Sequence, residues 1–143
     1  VLLLISTLPI FYFNQNKPLV QDWNIFNLPR REVMLIRKNL VVPYIEGVNY
    51  LIEERRCTQL GLYLPDEEWE YPVWELYRTA EIGAFRIEHV LVNNSSNRLP
   101  RQPFEPCAIF TTQPLPGGKT VQVEGKTFGL TWEMPPVRIY TAE

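Results

Sequence analysis

Carboxylates crowd one stretch of the chain, at Asp66, Glu67, Glu68 and Glu70, and large aromatics are interleaved with them at Trp69, Tyr71 and Trp74. Two kinds of chemistry suit such a mixture. Clustered carboxylates can hold a divalent cation through hard oxygen ligands. Flat aromatic faces can stack on a sugar or lie in a lipid interface. Trp69, Glu70, Tyr71 and Trp74 are therefore the candidate ligand-contact residues. Each feature also has an ordinary structural explanation, and that is the expectation here. Acids at the start of a helix complement its dipole, and aromatics bury large areas beneath a sheet. The corner argues against a phosphate or dinucleotide site, because the turn before these residues has no glycine and its carboxylates would repel phosphate.

Other reactive side chains are few. His89 is the single histidine; general-base work needs a partner nucleophile, none is visible, and a structurally satisfied histidine is expected. Cys57 and Cys107 are the two cysteines. They fall at the same edge of the expected sheet, so a disulfide is geometrically open to them, but two ordinary buried thiols are expected. With one histidine, they make no zinc site. Overlapping Asn-x-Ser patterns at residues 93–96 matter only in a glycosylating secretory pathway. Arg98 and Arg101 could meet an anionic head group and are expected to be solvated loop charges. No catalytic residue, cofactor site or metal set is assigned.

The elements that position these residues follow from periodicity. Leu60, Leu62 and Leu64 alternate with Gly61 and Tyr63 in a short uncharged run, which suits a buried strand. Pro65 stops it and Asp66 can cap the next helix. Pro72 is tolerated in a first turn but not in a helix interior, so the helix starts near residues 69–70. Upstream, Pro43 opens a helix to residue 56, with Tyr44, Val48, Leu51 and Ile52 at helical spacing and Glu53, Glu54, Arg55 and Arg56 as its solvated end. A shorter helix over residues 30–38 precedes it. Residues 85–92 form a strand with Phe85, Ile87, His89 and Leu91 on one face and Arg86, Glu88, Val90 and Val92 on the other. Residues 106–113 form a third. Residues 120–123, 126–132 and 137–141 are late strands, with a hairpin at Gly125. The order predicts a small α/β sandwich of two or three layers, with a parallel three-stranded core and antiparallel C-terminal strands.

Composition bounds the rest. The chain has 143 residues, 45% hydrophobic and 21% charged, enough for one domain with a real core. Net charge is −2, which makes no electrostatic case for nucleic acid. The 13 prolines against 7 glycines point to stiff connections. Residues 1–13, VLLLISTLPIFYF, are a continuous apolar run too short to span a bilayer, which needs about 20 residues. With neither a basic start nor a cleavage site, they read as the end of a transmembrane helix, with Phe11, Tyr12 and Phe13 in the interfacial aromatic belt. The alternative is a buried N-terminal element. Residues 14–42 then form a connector with a short helix, and residues 43–143 the α/β domain. Lys17 and the arginines beyond it weakly favour a cytoplasmic side.

Three pieces together resemble one family: IFNLPRRE at residues 25–32, LGLYLPDEEWEYPVWELYR at 60–78, and FRIEHVLVNN at 85–94. They are similar to the C-terminal soluble region of membrane glycosyltransferases that use polyprenyl-phosphate sugar donors. This group includes bacterial proteins similar to dolichyl-phosphate-mannose–protein mannosyltransferases. The family's "Trp-Glu-Tyr-Pro, hydrophobic, Trp" pattern falls on Trp69, Glu70, Tyr71, Pro72, Val73 and Trp74, and its following strand pattern on residues 86–90. The resemblance covers about residues 1–113, and the last thirty residues add nothing to it. It implies a non-catalytic, extracytoplasmic, membrane-anchored domain. The expected partners are the membrane domain of the same chain and a polyprenyl-phosphate sugar or its acceptor. The family's catalytic acids lie in a loop absent from this sequence, so none is carried over. A free-standing α/β binding or scaffold module with no enzymatic parent is the alternative. A small enzyme centred on His89 and the acidic corner ranks below both.

Overall fold

The alternation of leucines around Gly61 becomes the central parallel strand of a six-stranded mixed sheet. The computed structural model describes residues 12, 24, 26, 27, 29, 38–65, 69–92 and 102–142. The apolar run at 1–13 (Tyr12 apart), the short helix expected at 30–38 (Lys38 apart), Asp66, Glu67, Glu68 and the loop at 93–101 fall outside them. Among the described residues no helix is long and apolar enough to cross a membrane. The chain divides into two compact units, residues 1–41 and 42–143.

Helix α1 spans Lys38–Asn49 and widens into a π-helical turn over Tyr50–Glu54. Strand β1 is Gln59–Tyr63, helix α2 is Tyr71–Thr79, β2 is Arg86–His89 and β3 is Ala108–Thr111. The antiparallel strands are β4 Thr120–Val123, β5 Lys126–Met134 and β6 Val137–Ala142. The strand order is β2-β1-β3-β6-β5-β4. β1 pairs in parallel with both β2 and β3, and all later pairings are antiparallel. The expected parallel core with antiparallel additions is therefore the observed architecture.

Pro43 does not open α1 as its spacing suggested; it lies inside the helix. It is close enough to the N-terminus that the missing N–H removes only one early bond of the ladder. At the far end Arg55 N–H donates to the Tyr50 carbonyl and Cys57 N–H to the Leu51 carbonyl. Arg56 adopts φ 49°, the left-handed geometry that often closes a helix and is usually left to glycine. Residues 53–56 are exposed, as a solvated helix end should be.

This exit delivers Cys57 to the sheet, where it is disulfide-bonded to Cys107 with the Cα atoms 5.6 Å apart. The expectation of two separate thiols is thus overturned. Parallel pairing of β1 with β3 is the reason: each cysteine lies just before its strand, and neighbouring parallel strands start at the same edge.

The sheet's two faces are distinct. Leu62 is in register with His89 on one side and Phe110 on the other, so these side chains share a face. Tyr44 of α1 packs edge-on against Phe110, with ring centroids 5.2 Å apart. Tyr77 of α2 lies 5.5 Å from Phe85, and Glu70 just before α2 reaches His89. Both helices therefore cover the same face, and the sandwich has two layers. At Gly47 an added Cβ would lie 3.1 Å from Val137 and 3.2 Å from Trp132, so α1 sits tightly on β5 and β6.

The opposite face is concave. Val90, Phe104, Ile109, Leu115, Val123, Phe128 and Tyr140 form one buried cluster on it. Val90 follows edge strand β2 and Val123 belongs to the other edge strand, β4, so the sheet curls enough for its two margins to share a core. Gly61 permits this packing, because a Cβ there would come within 2.9 Å of Val90.

The exposed aromatic corner and its carboxylate–histidine pair

The chain leaves β1 at Tyr63 and re-enters regular structure at Tyr71, so residues 69–70 lie where the parallel strands end. Open α/β sheets bind ligands beyond the carboxyl ends of their strands. Pro72 occupies the first turn of α2, as its chemistry requires. Val73, Leu76 and Tyr77 turn inward and are buried.

The flanking aromatics do the opposite. Trp69 is 51% exposed, Tyr71 55% and Trp74 38%. The expectation that they form core beneath the sheet is therefore wrong. The inward positions are already filled by Val73, Leu76 and Tyr77, and the helical repeat turns Tyr71 and Trp74 away from them. These two residues are three apart and so neighbours on one helix surface. Trp74 also rests against Phe85, with centroids 6.0 Å apart, so one of its edges is held while much of the ring stays in solvent.

Glu70 stands at the N-cap of α2 but makes no side-chain cap bond. Its carbonyl accepts from Val73 N–H at 3.0 Å, and its carboxylate Oε2 is 2.6 Å from His89 Nε2. Both side chains are about half exposed. His89 is thus satisfied, as expected, but by a surface carboxylate rather than by core groups. A pair of this kind fixes the orientation of both side chains and offers one acceptor oxygen and one ring edge beside the aromatics.

Deeper in α2, Glu75 is buried and takes two bonds from Arg78, whose Nε and Nη2 donate at 2.7 and 2.6 Å. This partnership raises the Arg78 pKa further. On β2, Arg86 donates to Glu88 and to the carbonyls of Pro103 and Gln102, and its guanidinium lies 5.1 Å above the Phe104 ring. These contacts tie residues 102–104 to β2.

The structure thus brings Trp69, Glu70, Tyr71 and Trp74 together at one exposed corner and adds His89 to them. In the sequence only the lowest-ranked reading, a small enzyme, joined His89 to this corner; the parallel pairing of β1 with β2 and the Glu70 contact bring them together in the structure. Among the described residues, no group of three His, Cys, Asp or Glu side chains gathers to hold a metal ion. Comparison of the chain with protein-family models, curated proteins and solved structures finds no match.

Proposed function

We propose that this chain is the non-catalytic, extracytoplasmic C-terminal domain of a multi-pass membrane glycosyltransferase that transfers a sugar from a polyprenyl-phosphate carrier to an acceptor. The observation that carries this reading is the 2.6 Å contact between Glu70 and His89. It joins two of the three pieces that carry the family resemblance, those with Trp-Glu-Tyr-Pro and Arg-Ile-Glu-His-Val, into one surface feature. The half-exposed Trp69, Tyr71 and Trp74 suit a contact with a saccharide or with the membrane-embedded part of the enzyme, since such rings combine an apolar face with a polar edge. The Cys57–Cys107 disulfide supports an oxidising compartment, where such bonds persist. In this role the domain positions acceptor or donor, or braces the membrane part, and the reaction itself belongs to the rest of the enzyme.

The test is a transfer assay with a polyprenyl-phosphate sugar donor. The complete gene product should be active in membranes and the 143-residue chain alone inactive. Trp69→Ala/Trp74→Ala in the complete protein should lower transfer without changing membrane insertion. Turnover by the isolated chain, or a complete product with no donor-dependent transfer, would refute the proposal.

A further inference from the structure

A second concavity meets the aromatic corner only at His89, which lines both. Strands β2 and β4 end the strand order, and the curl of the sheet brings them to the two sides of a cleft of about 310 Å³. That size is at the lower end for small-molecule pockets, which run from about 300 to 1,000 Å³. Val90, Phe104 and Val123 give it an apolar floor, and all three are buried. Glu88, Gln102, Gln122 and Glu124 supply polar groups around that floor.

The chemistry of this lining selects its ligand. No lysine or arginine lines the cleft, and its one histidine, His89, is held by Glu70. The nearby Arg86 is committed to Glu88 and to two backbone carbonyls. Phosphates and carboxylates would therefore meet Glu88 and Glu124 with no uncommitted lysine or arginine to offset them. The Arg86 pair uses one oxygen of Glu88, Oε1, and leaves Oε2 outside it. Carboxylate oxygens accept from hydroxyl groups, and carboxamides both donate and accept. Hydrogen-bonding groups around an apolar floor match a ring that carries hydroxyls on its rim and C–H groups on its face. The backbone adds a separate sign: Leu91, which also lines the cleft, is held at φ 56°. A branched side chain in left-handed geometry is strained, and such strain concentrates at ligand-binding positions.

We propose that the cleft between the two sheet margins binds one neutral polyhydroxylated ring, a monosaccharide unit. This assignment stands on the cleft itself and goes beyond the transferase reading, which concerns the aromatic corner and shares only His89 with the cleft. It is tested by two-dimensional amide NMR of the full 143-residue chain, titrated in turn with D-glucose, D-mannose and D-galactose, with ethanolamine as a cationic probe. At least one hexose should shift the amides of Gln102, Gln122 and Glu124 saturably. Gln102→Ala/Gln122→Ala, at two exposed positions, should weaken that binding about tenfold, the scale of a lost polar contact, while the rest of the spectrum stays unchanged. The proposal is overturned if no hexose gives a saturable shift, if the shifts fall only around Trp69 and Trp74, or if the double variant binds as tightly as the parent. It is also overturned if ethanolamine is the sole probe that binds.

Discussion

Single side chains account for the features that most separate this domain from an ordinary α/β sandwich. Tyr77 is buried, and its hydroxyl has no hydrogen-bond partner among the described residues. Burial disfavours the phenolate and pushes the Tyr77 pKa well above its ordinary value of 10.0. The folded-state value is raised, so the stability linked to the neutral phenol is complete below pH 10.0 and declines as the pH rises past it toward the folded value. Tyr77→Phe should flatten this alkaline decline in urea titrations. It should leave stability near neutrality unchanged or raise it by up to about 1 kcal/mol, since an unpaired buried hydroxyl is removed. The Glu70–His89 pair should behave differently. Both partners are half exposed, so a double-mutant cycle should give a coupling below about 1 kcal/mol, with His89→Ala still folded by circular dichroism. A coupling of several kcal/mol would mean that the pair holds the fold together rather than presenting a surface. That His89 is satisfied was legible beforehand but its partner Glu70 was not, because a helical repeat says which positions share a face but not which face meets solvent. Trp69, Tyr71 and Trp74 looked like core for that reason.

At the scale of elements, the sequence was more informative. The turn chemistry of Gly125 and the alternation on both sides of it specify the β4–β5 hairpin, whose bounds nearly coincide with expectation. Glu124 and Gly125 both take positive φ there, 50° and 82°, as a tight hairpin turn requires. Pro72 marks the start of α2 correctly, whereas Pro43 misleads, because the same residue is tolerated a turn inside a helix when packing compensates. The alternation of residues 86–90 gives the correct faces for Ile87, Glu88 and His89, since a period of two leaves no freedom once pairing is fixed. What periodicity could not convey is curl. The approach of Val90 to Gly61 depends on a missing side chain in β1, and Gly61→Val should destabilise the domain by about 1–3 kcal/mol through overpacking. The readout is the urea midpoint, and an unchanged midpoint would show that the concave cluster has more slack than the 2.9 Å approach implies.

For the whole molecule, the disulfide and the site's placement matter most. Cys57 and Cys107 are 50 positions apart, so their bond removes considerable freedom from the unfolded chain. Loop-closure entropy puts its stabilisation at about 4 kcal/mol. Cys57→Ser/Cys107→Ser should show a loss of that order in equilibrium unfolding, and a loss near zero would mean the bond is incidental to stability. The shared sheet edge already left this pairing open in the sequence, where two buried thiols were expected; the direct parallel pairing of β1 with β3, which periodicity does not specify, brings the cysteines together. The central claim, that this domain stands outside the cytoplasm on a membrane glycosyltransferase, is tested most directly by topology. The natural gene product would be tagged at its C-terminus, cells fractionated, and intact cells or spheroplasts treated with protease. We expect a membrane-integral product whose tagged domain is removed from outside. A tag recovered in the soluble fraction, or one protected until the membrane is broken, would contradict that claim.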